Sequence, residues 1–184
     1  MALDCKLNKN LLRSTFCGYS LPQIVDLYLV NFEDLIPSGT TKDNINSGTC
    51  EGIASIELAE GAKVYHIEPA KNSASFEDTL VVEDSGAKYR NASITFSVNG
   101  TYTACMHEAL DDLALGRYFV VVKTADGNYL GFGRISPLEA ETATLAGGSD
   151  TNGIQIVLSG NIAESAMPLG DEAIDYILSN VYSE

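Results

Sequence analysis

The chain has 184 residues, 45% of them hydrophobic, which is enough apolar material for one core of ordinary size and excludes compositional disorder. Its 25 acidic residues outweigh 11 basic ones and give a formal charge of -14, a balance opposed to duplex nucleic acid, which is bound largely through Lys and Arg on phosphates. No apolar run approaches the length of a membrane span, so membrane insertion is not expected.

Residues 1–20 are polar and mixed, and read as an N-terminal arm. The opening MALDCKLNKN has no apolar signal region, so Cys5, Cys17, Cys50 and Cys105 are expected as reduced thiols in a cytosolic setting. No CxxC pair occurs and the chain has two histidines, His66 and His107, so standard zinc spacing is missing.

Ile24–Phe32 (IVDLYLVNF) is rich in β-branched and aromatic residues and predicts a strand. Residues 37–50 (PSGTTKDNINSGTC) are dense in turn-forming residues and predict one long loop of the kind used for contacts. Gly52–Leu58 and Ala62–Glu68 follow as strands, with Glu60-Gly61 as the turn between them. After a polar stretch come Phe76–Glu83 and Tyr89–Val98. In the latter Ile94, Phe96 and Val98 alternate with Ser93, Thr95 and Ser97, the period of a half-buried strand.

Thr103–Leu115 predicts a helix. Met106, Ala109, Leu110, Leu113 and Ala114 make one apolar stripe, Thr103 is the expected N-cap and Gly116 the expected C-terminal stop. Tyr118–Thr124 and Tyr129–Ile135 flank Asp126-Gly127-Asn128, a hairpin signal. Gly131 and Gly133 leave one face of the second strand nearly bare, which suits close approach of another segment. Leu138–Leu145, a Gly-rich loop over 147–153, the strand Ile154–Ser159 and a terminal helix or tail with Ile174, Ile177 and Leu178 on its apolar face complete the chain.

This order lacks βαβ alternation and predicts a mainly β (α+β) fold, an antiparallel sandwich or barrel with one packed helix. The expected division is an arm over 1–20, a β domain over 21–168 and a C-terminal helix or tail over 169–184. From Pro137 onward there are eight acidic residues and no Lys or Arg, read either as a solubilising surface or as an acidic wall facing a polyanion or basic partner.

Motifs for chemistry are incomplete. His107-Glu108 lacks the second His of HExxH, Gly131-Phe132-Gly133 lacks the third Gly of a dinucleotide fingerprint, and Gly147-Gly148-Ser149-Asp150 has no GK[ST] ending. Asp150, Asn152 and Gly153 lack calcium-loop spacing, and Asp111-Asp112 point in different directions on a helix. His66 reads as a half-exposed or hydrogen-bonded strand residue. No catalytic set, metal or cofactor is expected. A non-catalytic ligand-binding module, for carbohydrate or peptide, is an alternative reading to which nine Tyr and no Trp give little support.

The series Ser93–Val98, helix Thr103–Leu115, Tyr118–Thr124, the Asp126-Gly127 hairpin, Tyr129–Ile135 and Asn152-Gly153-Ile154-Gln155-Ile156-Val157-Leu158-Ser159-Gly160 resembles tailed-phage tail tube proteins. Cys17-Gly18-Tyr19-Ser20-Leu21-Pro22 followed by Asp26-Leu27-Tyr28-Leu29 looks like virion structural proteins of phages and prophages of gut Bacteroidetes. The resemblance covers roughly residues 16–168. It implies a homo-oligomer, usually a hexameric ring, that stacks into a hollow tube in the virion after assembly in the bacterial host cytoplasm. DNA passes through without specific binding and other virion proteins are partners. A neck, tail-terminator or baseplate ring is the alternative. The expected inter-subunit contacts are Tyr19, Leu21 and Pro22 in the arm, Pro37, Thr41 and Ile45 in the long loop, and Tyr129, Phe132 and Arg134 on a strand face.

Overall fold

A computed structural model describes residues 23–45, 51–99, 104–147 and 152–183. The arm with Cys5, Cys17, Tyr19, Leu21 and Pro22, together with Cys50, Thr103 and residues 148–151, lies outside the described residues, as do the side chains of Cys105 and Met106. The strands are β1 (Ile24–Asn31), β2 (Thr41–Asn44), β3 (Glu51–Ser55), β4 (Tyr65–Ile67), β5 (Ser75–Val82), β6 (Lys88–Val98), β7 (Arg117–Thr124), β8 (Tyr129–Phe132), β9 (Leu138–Gly147), β10 (Asn152–Ile162) and β11 (Met167–Pro168). The helices are α1 (Ala104–Leu115) and α2 (Asp171–Ser179), and a 3-10 turn covers Phe32–Asp34. The fold is mainly β with antiparallel strand ladders, as the sequence predicts.

Among the described residues, nine strands form one sheet that folds back on itself. One run is β4-β1-β7-β8-β11 and the other β9-β10-β6-β5. They join where Arg117 and Tyr118 of β7 pair with Glu139 and Leu138 of β9. The enclosed core takes Leu27 and Leu29 from β1, Val120 and Val122 from β7, Ala92, Ile94 and Phe96 from β6, and Ile154, Ile156 and Leu158 from β10. In β6 those three residues are buried while Ser93, Thr95 and Ser97 between them are half-buried, so the period of two is realised.

β1 and β7 are buried on both faces. Tyr28, Val30, Phe119 and Val121 turn the other way, into a second core with Ile53, Ile56, Leu58, Val64, Leu169, Ala173 and Ile177. This explains why Leu27–Val30 and Phe119–Val122 read as unbroken apolar runs instead of alternating. The second core is closed by the β2–β3 hairpin and α2. Each fully buried side chain of the size of Ile53 or Ile177 contributes roughly 1.5–3 kcal/mol by leaving water.

Several local expectations are corrected. Within the 37–50 segment, Thr41–Asn44 is a strand that pairs antiparallel with Glu51–Ser55. Its polar residues hide this because the backbone ladder and a Thr41–Ser55 hydroxyl contact of 2.9 Å hold it, not an apolar face. Gly52–Leu58 and Ala62–Glu68 shorten to β3 and β4, and the two pair with different partners. The strand expected over Tyr129–Ile135 ends at Phe132, because Gly133 has φ +84 and breaks the extended backbone. Gly127 at φ +85 makes the expected β7–β8 turn.

Two helices are packed instead of one. α2 is an integral part of the second core, not a separate tail, with Ala173 and Ile177 fully buried and Leu178, expected on the apolar face, 44% exposed. α1 packs Leu110 and Leu113 on the first core while Ala109 is exposed. Gly116 does follow the helix, but not as a left-handed cap. A Cβ there would lie 2.0 Å from the Tyr118 hydroxyl, so glycine makes room for that ring. The hydroxyl donates to the Asp112 carbonyl at 3.2 Å and ties α1 to β7.

Candidate functional site

Three features of the described residues stand apart from the core. The first is the edge of β5. β5 pairs with β6 along its whole length, from Ser75 opposite Thr95 to Val82 opposite Lys88, and with no other strand among the described residues. Phe76, Asp78, Leu80 and Val82 share one face by the period of two. Phe76, itself exposed, meets Phe132 of the first core at 5.4 Å between ring centroids. Asp78 is tied down by the Arg90 Nε–H at 2.6 Å and the Ala166 N–H at 3.0 Å. Beyond it the hairpin leaves the core, and Leu80 and Val82 are 55% and 56% exposed. An eight-residue strand with an edge unpaired among the described residues and exposed apolar side chains can accept another strand.

The second feature is a polar cluster on the face of β4, β1, β7 and β8 that also carries the second core. The register sets Tyr28 opposite His66, Asp26 opposite Lys123, and Lys123 opposite Tyr129. Asp26 Oδ1 lies 2.9 Å from His66 Nε2, and Asp26 Oδ2 accepts from Lys123 Nζ at 2.9 Å. The His66 ring stacks on Tyr28 at 4.9 Å and 17°, and Lys123 Nζ sits 5.8 Å over the Tyr129 ring. Burial alone would push the Asp26 carboxyl up; the bonds from His66 and Lys123 and their charges prevail and hold it below its ordinary value. The bond to Asp26 raises Lys123, and burial raises the Tyr28 phenol. Glu68 completes a group in which one donor atom from each of Asp26, His66 and Glu68 lies within 4.8 Å of the others. The expectation for His66 as a hydrogen-bonded strand residue is met. Asp26 was missed, although an acid inside the apolar run IVDLYLVN was a visible signal of a buried partner.

The third feature is a groove under α1. Cavities of about 430 and 680 Å³ flank the helix and share Ile67, Ala109 and Leu113 in their walls. Leu115 at the end of α1 is 86% exposed.

The residues expected at subunit contacts fall into two groups. Pro37 and Thr41 are exposed. Phe132 is 1% exposed and belongs to the first core, so it is not on a surface. Arg134 is engaged within the chain: its Nε and Nη2 donate to the two Glu164 oxygens at 2.8 and 2.9 Å, and its Nη1 to the Thr40 carbonyl at 3.1 Å. Ile45 is half-buried against Gly52 and Gly170, and Tyr129 is half-buried beside Tyr28. The strand face of Tyr129–Arg134 is thus mostly internal. The acidic C-terminal third is also divided. Glu139 and Glu141 are exposed on β9, Asp171, Glu172 and Asp175 on α2, and Glu164 is withdrawn into its ion pair. Compared with protein-family models, with curated proteins and with solved structures, the chain gives no match.

Proposed function

We propose that this chain is a phage virion structural protein that self-assembles into stacked rings, forming a tail tube through which DNA passes. The observation that carries the reading is the edge of β5, unpaired among the described residues, with Leu80 and Val82 in solvent beyond the core. A subunit that worked alone would be expected to cover or blunt such an edge; a subunit that joins copies of itself uses it. β4 is the edge strand of the other run, while the chain leaving β11 is bridged to β3 through Leu169 and Ile53, so β5 of one copy has a different edge, that of β4, to meet on the next. Such a head-to-tail contact generates a ring when the rotation closes. The formal charge of -14 supports passage of DNA without adhesion, since like charges repel. The partners are further copies of the chain and other virion proteins, the site of action is the virion, and no catalytic step is involved.

The test is mass determination across protein concentration together with electron microscopy, on the natural chain and on the double variant Leu80→Lys, Val82→Lys. The natural chain is expected to form rings and tubes, and the variant to remain monomeric with an unchanged circular-dichroism spectrum. Closed single rings would move the protein to a neck, terminator or baseplate position. A natural chain that stays monomeric throughout, or a variant that assembles as well as its parent, refutes the proposal.

A further inference from the structure

We propose that Asp26, His66 and Glu68 bind a divalent transition-metal ion of six-coordinate preference. The backbone brings the three together without strain. His66 is in β4 and Glu68 follows just after its end, close enough to bring its carboxylate to the same group, and Asp26 lies diagonally across from His66 on β1. Their donor atoms all fall within 4.8 Å of one another. One imidazole with two carboxylates is a donor set suited to first-row divalent ions.

The separation of the two inner donors selects the geometry. His66 Nε2 and Asp26 Oδ1 are 2.9 Å apart. Two ligands each ~2.1 Å from an ion are ~3.0 Å apart at a right angle and ~3.4 Å apart at the tetrahedral angle. The observed pair therefore fits adjacent corners of an octahedron better than a tetrahedral zinc site. The ion takes the place of the proton shared between Nε2 and Oδ1; that proton leaves to solvent or the imidazole carries its hydrogen on Nδ1. Glu68, exposed and on a flexible stem, closes a third position, and water fills the others.

The surroundings are arranged to hold these ligands. Lys123 keeps Asp26 Oδ2, which fixes the carboxylate and leaves Oδ1 for the ion. The stacked Tyr28 ring sets the plane of the imidazole. Two carboxylates and one ammonium leave a single negative charge when the imidazole is neutral, in a chain of strongly negative charge. The ion would staple the three-residue edge strand β4 to β1.

Titration calorimetry and melting of the full chain with Ni²⁺ and Co²⁺ test this independently of assembly. Binding is expected to raise the melting midpoint, and Co²⁺ to give the weak visible bands of six-coordination. Glu68→Gln leaves the bonds of Asp26 to His66 and Lys123 in place, and should weaken binding at least about tenfold with the metal-free midpoint unchanged. His66→Gln should weaken it further, while His107→Gln on α1 should leave the affinity unchanged. Absence of binding, the intense bands of a tetrahedral site, or an affinity in the Glu68 and His66 variants equal to that of the natural chain, which would place the ion on other donors such as the thiols, overturns the proposal.

Discussion

Replacing Glu164 with alanine leaves the Arg134 guanidinium without its carboxylate in a place where little water reaches it. The two side chains are 16% and 13% exposed and meet through two parallel hydrogen bonds. Breaking a buried pair by removing one partner costs about 3–5 kcal/mol, and hydrogen bonds to charged groups contribute about 1.5–3 kcal/mol each. Residual solvent and the retained bond from Arg134 to the Thr40 carbonyl bring the expected loss to about 2–3 kcal/mol. With a urea dependence of about 2 kcal/mol per molar, the unfolding midpoint should fall by about 1 M at neutral pH. The comparison is made at one protein concentration, because self-association moves midpoints. The pH profile carries a second signature. Burial raises the Glu164 carboxyl, but the bonds and charges of Arg134 and Lys42 outweigh it and lower its pKa below the ordinary 4.5. A depressed folded-state pKa stabilises above the unfolded value, and that stability disappears as pH falls through the folded one. The gap between the natural chain and Glu164→Ala should therefore be full at neutral pH and narrow in acid below the unfolded pKa. A midpoint shift under about 0.3 M at neutral pH, or a gap that stays constant into acid, would refute the reasoning.

Two further outcomes concern packing. A Cβ at Gly131 would lie 2.7 Å from Ile53 Cδ1 and 3.1 Å from Leu169 and Phe119, so Gly131→Val should destabilise by about 1–3 kcal/mol in urea unfolding, and adding Ile53→Val should recover part of the loss. Tyr118→Phe removes the bond to the Asp112 carbonyl and should cost about 1 kcal/mol, with faster amide exchange concentrated in α1.

The sequence made some of this visible and hid the rest for physical reasons. β6 was legible because Ile94 and Phe96 face a core while Ser93 and Thr95 do not, and the β7–β8 hairpin because Asp126-Gly127 suits the turn. β2 was not, since Thr41-Lys42-Asp43-Asn44 is held through its backbone and offers no alternation to read. The face of Tyr129–Arg134 looked available because Gly131 and Gly133 have no side chains; in the fold Ile53, Leu169 and Phe119 fill the space at Gly131. Neither the Arg134–Glu164 pair nor the Asp26–His66–Lys123 group could be read, because each depends on which strands become neighbours. Asp26 alone signalled that a partner must exist.

The doubly buried pair β1 and β7 also dictates an order of events during synthesis. Ile24 is registered with Thr124, so the first described strand, which can pair with β4 earlier, completes its place in the sheet only after β2 through α1 have been made and β7 has emerged. Until then Leu27–Val30 lacks its longest ladder, the one to β7, and closing so long a loop carries an entropic cost before those bonds repay it. Maturation should thus be slow relative to helical proteins of this size, and the nascent amino-terminal strand is the stretch a chaperone would shield.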